Sequence, residues 1–565
     1  MIFKTHLDIG FTDFAETVKR KYLDEYIPNA IKVGRELLKG KTPFVWTLGS
    51  WLIAEALNED ENGMVDEAIK LGILRWHALP FTTHTECMTA ELFEEGLKVS
   101  ARLDERYGVR TRAAKMTDVP GHTQAMIPLL QKYGVKLLHI GVNSATPKPN
   151  VPDKFIWEFE GSRIAVIYNG GGYGGDIAIG DDLFVFAHTN DNLGPQSAEE
   201  IISIYAEMQK KYPTAYISAA TLEDLYEALD TSGFVTIDEE IGDSWIHGIG
   251  TDPYKVAAFR ATLRYAKEKK LPIPQDMLLT AEHTWGLCIQ QFYPKKEGWS
   301  LAEFEKTEDE PMRRLLEKSW SEQRDYVFRS AEGLGFDLTE ELACKKPNLS
   351  DYQRCEHEPR AKLSWQLFSA ADYRRYKTQY VSNNENWAIW DYTKNGLPEY
   401  EGGTVAAEVV ASYKKDDTYV TELRFPREYE IEHGVPHFYV IEDGAKVEIR
   451  MFGKKKSRIP QALWLSFSDF SGEVEVCKLG RWIKPETSLC SPLIMGFDSG
   501  IRNERTEILS LDAALIAPFG KNLLQYGIEL PRFAPTFNLY NNIWNTNFPM
   551  WWGEDMKFRF VFKKR

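Results

Sequence analysis

"TRAAKMTDVPGHTQAMIPLLQKYGVKLLHIGV", residues 111–142, reads as strand, sharp turn, helix and second strand in one run. "TRAAKMT" and "VKLLHIGV" have the short apolar runs of buried strands, and "HTQAMIPLLQKYG" has helical spacing. A helix that returns the chain to the next strand makes the two strands parallel. Pro120 and Gly121 set the turn, which aims Asp118 into a cleft. An N-cap role is the alternative for that aspartate.

The same alternation extends in both directions. Upstream lie a strand over about residues 1–7, a helix near 15–39, strand "TPFVWTL", helix from Ser50 to Leu71, strand "ILRWHAL" and helix "ECMTAELFEEGLKVSARLDERYG". Downstream come hairpin "KFIWEFEGSRIAVIYN", strand "LFVFAH", helix "SAEEIISIYAEMQKKY", strand "AYIS" and helix "TLEDLYEAL". The pattern predicts a parallel sheet or barrel with helices outside. Beyond Asp252 the periodicity turns helical. From Ser364 it turns to short strands such as "TVAAEVVASY", "AKVEIRMF" and "FRFVFKK", those of an antiparallel sandwich.

The 565 residues are too many for one core. A net charge of −15 argues against binding nucleic acid or an anionic membrane and permits a bound cation. The 16 tryptophans suit stacking on sugar rings, although most are expected in the core. No apolar stretch is long enough to span a bilayer. Cys87, Cys288, Cys344, Cys355, Cys477 and Cys490 show no paired spacing, so free thiols in a reducing cytoplasm are expected. No signal peptide precedes His6, but Met1 reads as lying inside the first strand. An upstream start therefore stays open and the cytoplasmic location provisional. Oligomeric state is not legible.

Polar clusters gather where the strands end, the place for chemistry in parallel α/β folds. They are His6 and Asp8, His84 and Glu86, Asp118 and His122, Asn190 and Asp191, and Asp243 and His247. His6 and Asp8 are two apart on a strand and share a face. They can hold a divalent cation together or form a plain hydrogen-bonded pair. His247, in "WIHGIGTD", is either a ligand or a loop histidine. "GGGYGG" at 170–175 lacks the helix of a dinucleotide site and reads instead as a floor for a ligand. "GKT" at 40–42 lacks the first glycine of a phosphate loop, since Arg35 stands there. "NNIWNTNFPMWWGED", 541–555, is either an aromatic lid or a buried sandwich edge.

Taken together, His6-x-Asp8, Asp118-Val-Pro-Gly-His122 and His247-Gly with Gly250-Thr251 resemble glycoside hydrolase family 38, the α-mannosidase-like enzymes, as a divergent branch. The resemblance implies an N-terminal (β/α)7-barrel-like domain over 1–251, a central three-helix bundle over 252–360 and a C-terminal antiparallel β-sandwich over 361–565. It implies one Zn2+ per chain, with Co2+ or Mn2+ as alternatives, on His6, Asp8, Asp118 and His247. Asp118 becomes the nucleophile and Asp191 the general acid and base of a retaining glycosidase. Phe11, His84, Glu86, Tyr173, Asp176, Asp243 and Trp245 become sugar-binding residues, Phe11 standing where the family has Trp. The same ligands would also serve a metal-dependent deacetylase or amidohydrolase, or a non-catalytic sugar-binding relative.

Overall fold

The structure is a computed structural model that describes residues 1–565 except 41, 488, 490–493 and 528–532. Lys41 of "GKT" and Cys490 thus lie outside the described residues. The chain divides into two compact units. The first contains Met1–His84, Ala90–Glu239 and Glu282–Thr284; the second contains Thr85–Thr89, Glu240–Ala281 and Trp285–Arg565.

The first unit contains strands β1 (Ile2–His6), β2 (Trp46–Gly49), β3 (Leu74–His77), β4 (Ala113–Asp118), β5 (Leu137–Val142), β6 (Lys154–Phe159), β7 (Ser162–Asn169), β8 (Ile177–Ile179), β9 (Asp182–Phe184), β10 (Phe186–Asp191) and β11 (Val235–Ile237). Their ladders make a four-stranded sheet, order β10-β1-β2-β3, and a five-stranded sheet, order β11-β6-β7-β5-β4. All pairings in these two sheets are parallel except the β6–β7 hairpin. Parallel strands were expected, but the hydrogen bonding describes two sheets rather than one closed barrel. "AYIS" is not a strand: Tyr216 is 93 % exposed, so nothing rewards its pairing.

β4 and β5 are buried at every position, the signature of strands covered on both faces. Capping boxes, Ser197 with Glu200 and Thr221 with Asp224, start the helices Ala198–Lys211 and Leu222–Ala228. Leu222 and Leu225 then pack with Ile2, Ala113 and Leu137 in one core.

In the second unit, the region 252–360 has two long helices, Pro253–Lys269 and Pro311–Gly333, with short ones between and after them, rather than three comparable helices. Gln353–Cys355 already joins a ten-stranded sheet, and a six-stranded antiparallel sheet accompanies it. Phe467 and Phe537 of the six-stranded sheet meet Phe560 of the larger one at ring distances of 5.4 and 5.0 Å, so the sheets share a core, as in a sandwich. Phe560→Ala is expected to cost about 3–5 kcal/mol, read from the denaturation midpoint. In the segment 541–555, Trp544, Trp551 and Trp552 are all buried, and Trp551 packs on Tyr293, Phe304 and Trp320 of the helical region rather than between the two sheets. Among the described residues, no helix is long and apolar enough to cross a membrane, and Cys87, Cys288, Cys344, Cys355 and Cys477 carry free thiols.

Candidate active site

β1 ends at His6 and β4 at Asp118, and the chain 282–284 brings His283 into the same unit. His6, Asp8 and His283 offer ligand atoms that all lie within 4.8 Å of one another. The His6 and His283 Nε2 atoms face each other at 3.2 Å, and each lies near Asp8 Oδ1, at 3.2 and 3.1 Å. Asp118 Oδ2 is 3.6 Å from His283 Nε2. All four side chains are buried.

Each ligand atom is aimed by its surroundings. His6 Nδ1 contacts Thr117 Oγ1 at 2.8 Å, which leaves Nε2 for the cluster. Glu282 Oε1 approaches His283 Nδ1 at 2.5 Å and has the same effect on that ring. The Asn192 side chain accepts from the Asp8 N–H, and the Thr284 hydroxyl donates to Asp8 Oδ1. Asp8 Oδ2 is buried without a hydrogen-bond partner. An orphaned carboxylate oxygen beside two converging imidazole nitrogens is a donor set that suits a divalent cation. Burial opposes charge on His283, but Glu282 and Asp8 outweigh it and raise its pKa well above the imidazole range. Burial likewise opposes charge on Asp8, yet the two imidazoles hold its carboxyl well below the usual range.

Asp118 has φ +76°, a left-handed conformation that is costly for a non-glycine residue and characteristic of functional turns. Its Oδ1 accepts from Asn143 Nδ2 at 3.1 Å and from the Tyr173 hydroxyl at 2.9 Å. The same hydroxyl lies 2.9 Å from Asp191 Oδ1, at the end of β10. These two carboxylate oxygens are therefore within two hydrogen-bond lengths of each other. Burial first, then the charge of Asp8, pushes the Asp191 carboxyl up to about 6. Tyr173 is held from below. A Cβ on Gly141 would lie 2.2 Å from its carbonyl oxygen, and one on Gly174 would lie 2.6 Å from Phe186. Within the glycine run, Gly174 thus lets Phe186 pack close to the Tyr173 loop, while Gly171 and Gly172 face open space.

Other expected residues fall elsewhere. His247 is not in this cluster; it belongs to the second unit, where its ring stands edge-on to Trp544 at 4.5 Å and its carbonyl accepts from Asn541. The second imidazole beside His6 and Asp8 in the cluster is that of His283. Trp245 is buried beside Tyr392 and Trp544. Glu86, 1 % exposed, accepts from the Asp243 and Gly496 N–H groups, and its carboxylate is 2.7 Å from Lys478, which also meets Glu240 at 2.9 Å. Glu86 is thus a buried ion-pair member of the second unit. Lys478→Met would leave two carboxylates buried without a cation and is expected to cost about 3–5 kcal/mol, seen as a lower unfolding midpoint. Asp176 is exposed and 3.9 Å from Lys211. His84 is buried, and Phe11 is half-buried at φ 61°.

Sequence reasoning missed His283. Its signal was a polar trio, Glu282-His283-Thr284, between Ala281 and Trp285 and far from the other ligands.

A mixed α/β multidomain chain with parallel sheets and a large antiparallel sheet has the fold seen in glycoside hydrolase family 38 proteins, and the likeness runs the length of this chain. An α-mannosidase from Enterococcus faecalis V583 superposes with a TM-score of 0.59 at 10 % identity, over 100 % of this chain and 86 % of the other. A glycosyl hydrolase family 38 protein from Enterococcus faecalis gives 0.51 at 9 % identity, with the same coverage of 100 % and 86 %. The family model "Domain of unknown function (DUF5054)" matches residues 249–353, a span that includes His283. No curated protein matches the sequence.

Proposed function

We propose that the chain is a metal-dependent retaining glycoside hydrolase. The observation that carries this reading is the pair of carboxylates, Asp118 and Asp191, bridged by the Tyr173 hydroxyl beside the His6–Asp8–His283 cluster. Retaining glycosidases need two carboxyl groups roughly 5–5.5 Å apart, one ionised and one protonated. The fold likeness to family 38 proteins supports a carbohydrate substrate.

In this reading His6, Asp8, Asp118 and His283 would hold a zinc ion, whose charge would help to bind sugar hydroxyls and favour a flattened ring. Asp118 attacks the anomeric carbon as the bond to the leaving oxygen breaks. Asp191 gives its proton to that oxygen. The product of this step is a glycosyl ester on Asp118. Asp191, now ionised, takes a proton from water as the water attacks the same carbon, which frees Asp118 and restores the acid. Tyr173 hydrogen-bonds whichever carboxylate is ionised and so holds the two acids in register through both steps. His247, Glu86, Asp243 and Trp245 have no part in this scheme.

The test is a screen of aryl α- and β-glycosides with and without chelator. Turnover that yields sugar of retained configuration and stops on chelation is expected. Release of acetate from N-acetyl sugars with every glycoside untouched would overturn the reading.

A further inference from the structure

Below the acids, the first unit contains a layer of bases that the proposed chemistry does not use. Lys4 on β1 and His188 on β10 belong to neighbouring strands of one sheet, which has His77 on its edge strand β3, and Lys115 on β4 and His139 on β5 belong to neighbouring strands of the other. Lys4 is registered with His188, and Lys115 with His139. Lys115 Nζ is 2.8 Å from His139 Nδ1 and 4.9 Å from the Phe186 ring centre. The His139 and Phe186 rings are 4.7 Å apart, which closes one side of the layer.

These groups have bases for neighbours and no acid. The hydrogen bonds of Lys115 go to His139 and to the Tyr173 carbonyl, and that of Lys4 to the Thr5 carbonyl at 3.2 Å. Neither lysine has an ion-pair partner among the described residues. His77 Nδ1, His139 Nε2 and His188 Nε2 are buried with no hydrogen-bond partner. Lys4 retains 6 % of its surface although β1 has a strand on each edge. Burial, then repulsion from the neighbouring bases, pushes Lys115 and all three imidazoles well below their ordinary pKa values.

Buried cations are normally paired, and buried nitrogens normally bonded. We propose that this layer binds a small monovalent inorganic anion of the chloride type between Lys4, His77, Lys115, His139 and His188. One negative charge would let Lys115 keep its proton and would give an acceptor to the orphaned Nε2–H of His139, whose Nδ1 accepts from Lys115. Lys115 also holds the Tyr173 carbonyl, so the anion would stiffen the support of that loop.

Crystals of the full chain soaked in bromide should show an anomalous peak among these five residues. Melting in chloride should exceed melting in gluconate at equal ionic strength by about 2 °C or more. Lys115→Met should abolish the difference between the salts. If that variant does not fold, the bromide soak of the unmodified protein decides alone. Bromide found only at the surface, or equal melting in the two salts for the unmodified protein, would overturn the proposal.

Discussion

Asp118→Asn lowers kcat/KM on an aryl glycoside by at least about 10^4-fold, or roughly 5.5 kcal/mol of transition-state stabilisation. The substitution keeps the size of the side chain and its contacts with Asn143 and Tyr173 but removes the nucleophilic charge. The strained backbone at φ +76° tolerates Asn well, so the fold persists and the loss is chemical. Asp191→Ala behaves differently. An activated aryl leaving group departs without an acid, so the first step survives while hydrolysis of the ester slows. A glycosyl adduct on Asp118 then accumulates and is visible by mass spectrometry, and azide restores turnover as a glycosyl azide. Unchanged kinetics in Asp118→Asn would sink the nucleophile assignment.

His283→Ala removes one of the two imidazole nitrogens that face each other at 3.2 Å and is expected to weaken divalent metal binding by at least about 100-fold. Elemental analysis should find one zinc per chain in the unmodified protein and little in the variant. His247→Ala is the control. Its ring packs on Trp544 in the other unit, so metal content should be retained even if stability falls. Chelation should also lower the melting temperature, because a ligand that binds only the folded state stabilises it. Full metal content in His283→Ala together with loss in His247→Ala would reverse the assignment.

Three of the four clustered side chains, His6, Asp8 and Asp118, were legible for a local reason. His6 and Asp8 are two apart, and strand geometry puts such residues on one face without knowledge of the fold. Asp118 was legible because the Pro120-Gly121 turn follows it after a single residue. Asp191 came from the resemblance. His283 follows none of the unit's strands and enters from chain otherwise belonging to the second unit, so no spacing rule reaches it. His247 had the better local context, with glycines on either side, but those glycines let Phe548 and Asn541 pack close. Glu86 also has a partner that no local spacing reveals. It follows β3, where a substrate residue is expected, but its partner Lys478 lies nearly four hundred residues away.

The sequence alone determined the parallel alternation, the later antiparallel strands and the first imidazole–carboxylate pair. Each follows from periodicity or spacing within a few residues. Only the tertiary structure decided which imidazole completes the cluster, that Tyr173 sits between the two acids, and that five bases share an interior without a counter-charge. Those outcomes depend on which distant side chains are buried against one another. Burial sets both the strength of their electrostatics and the cost of leaving them unpaired, and it has no expression in local sequence.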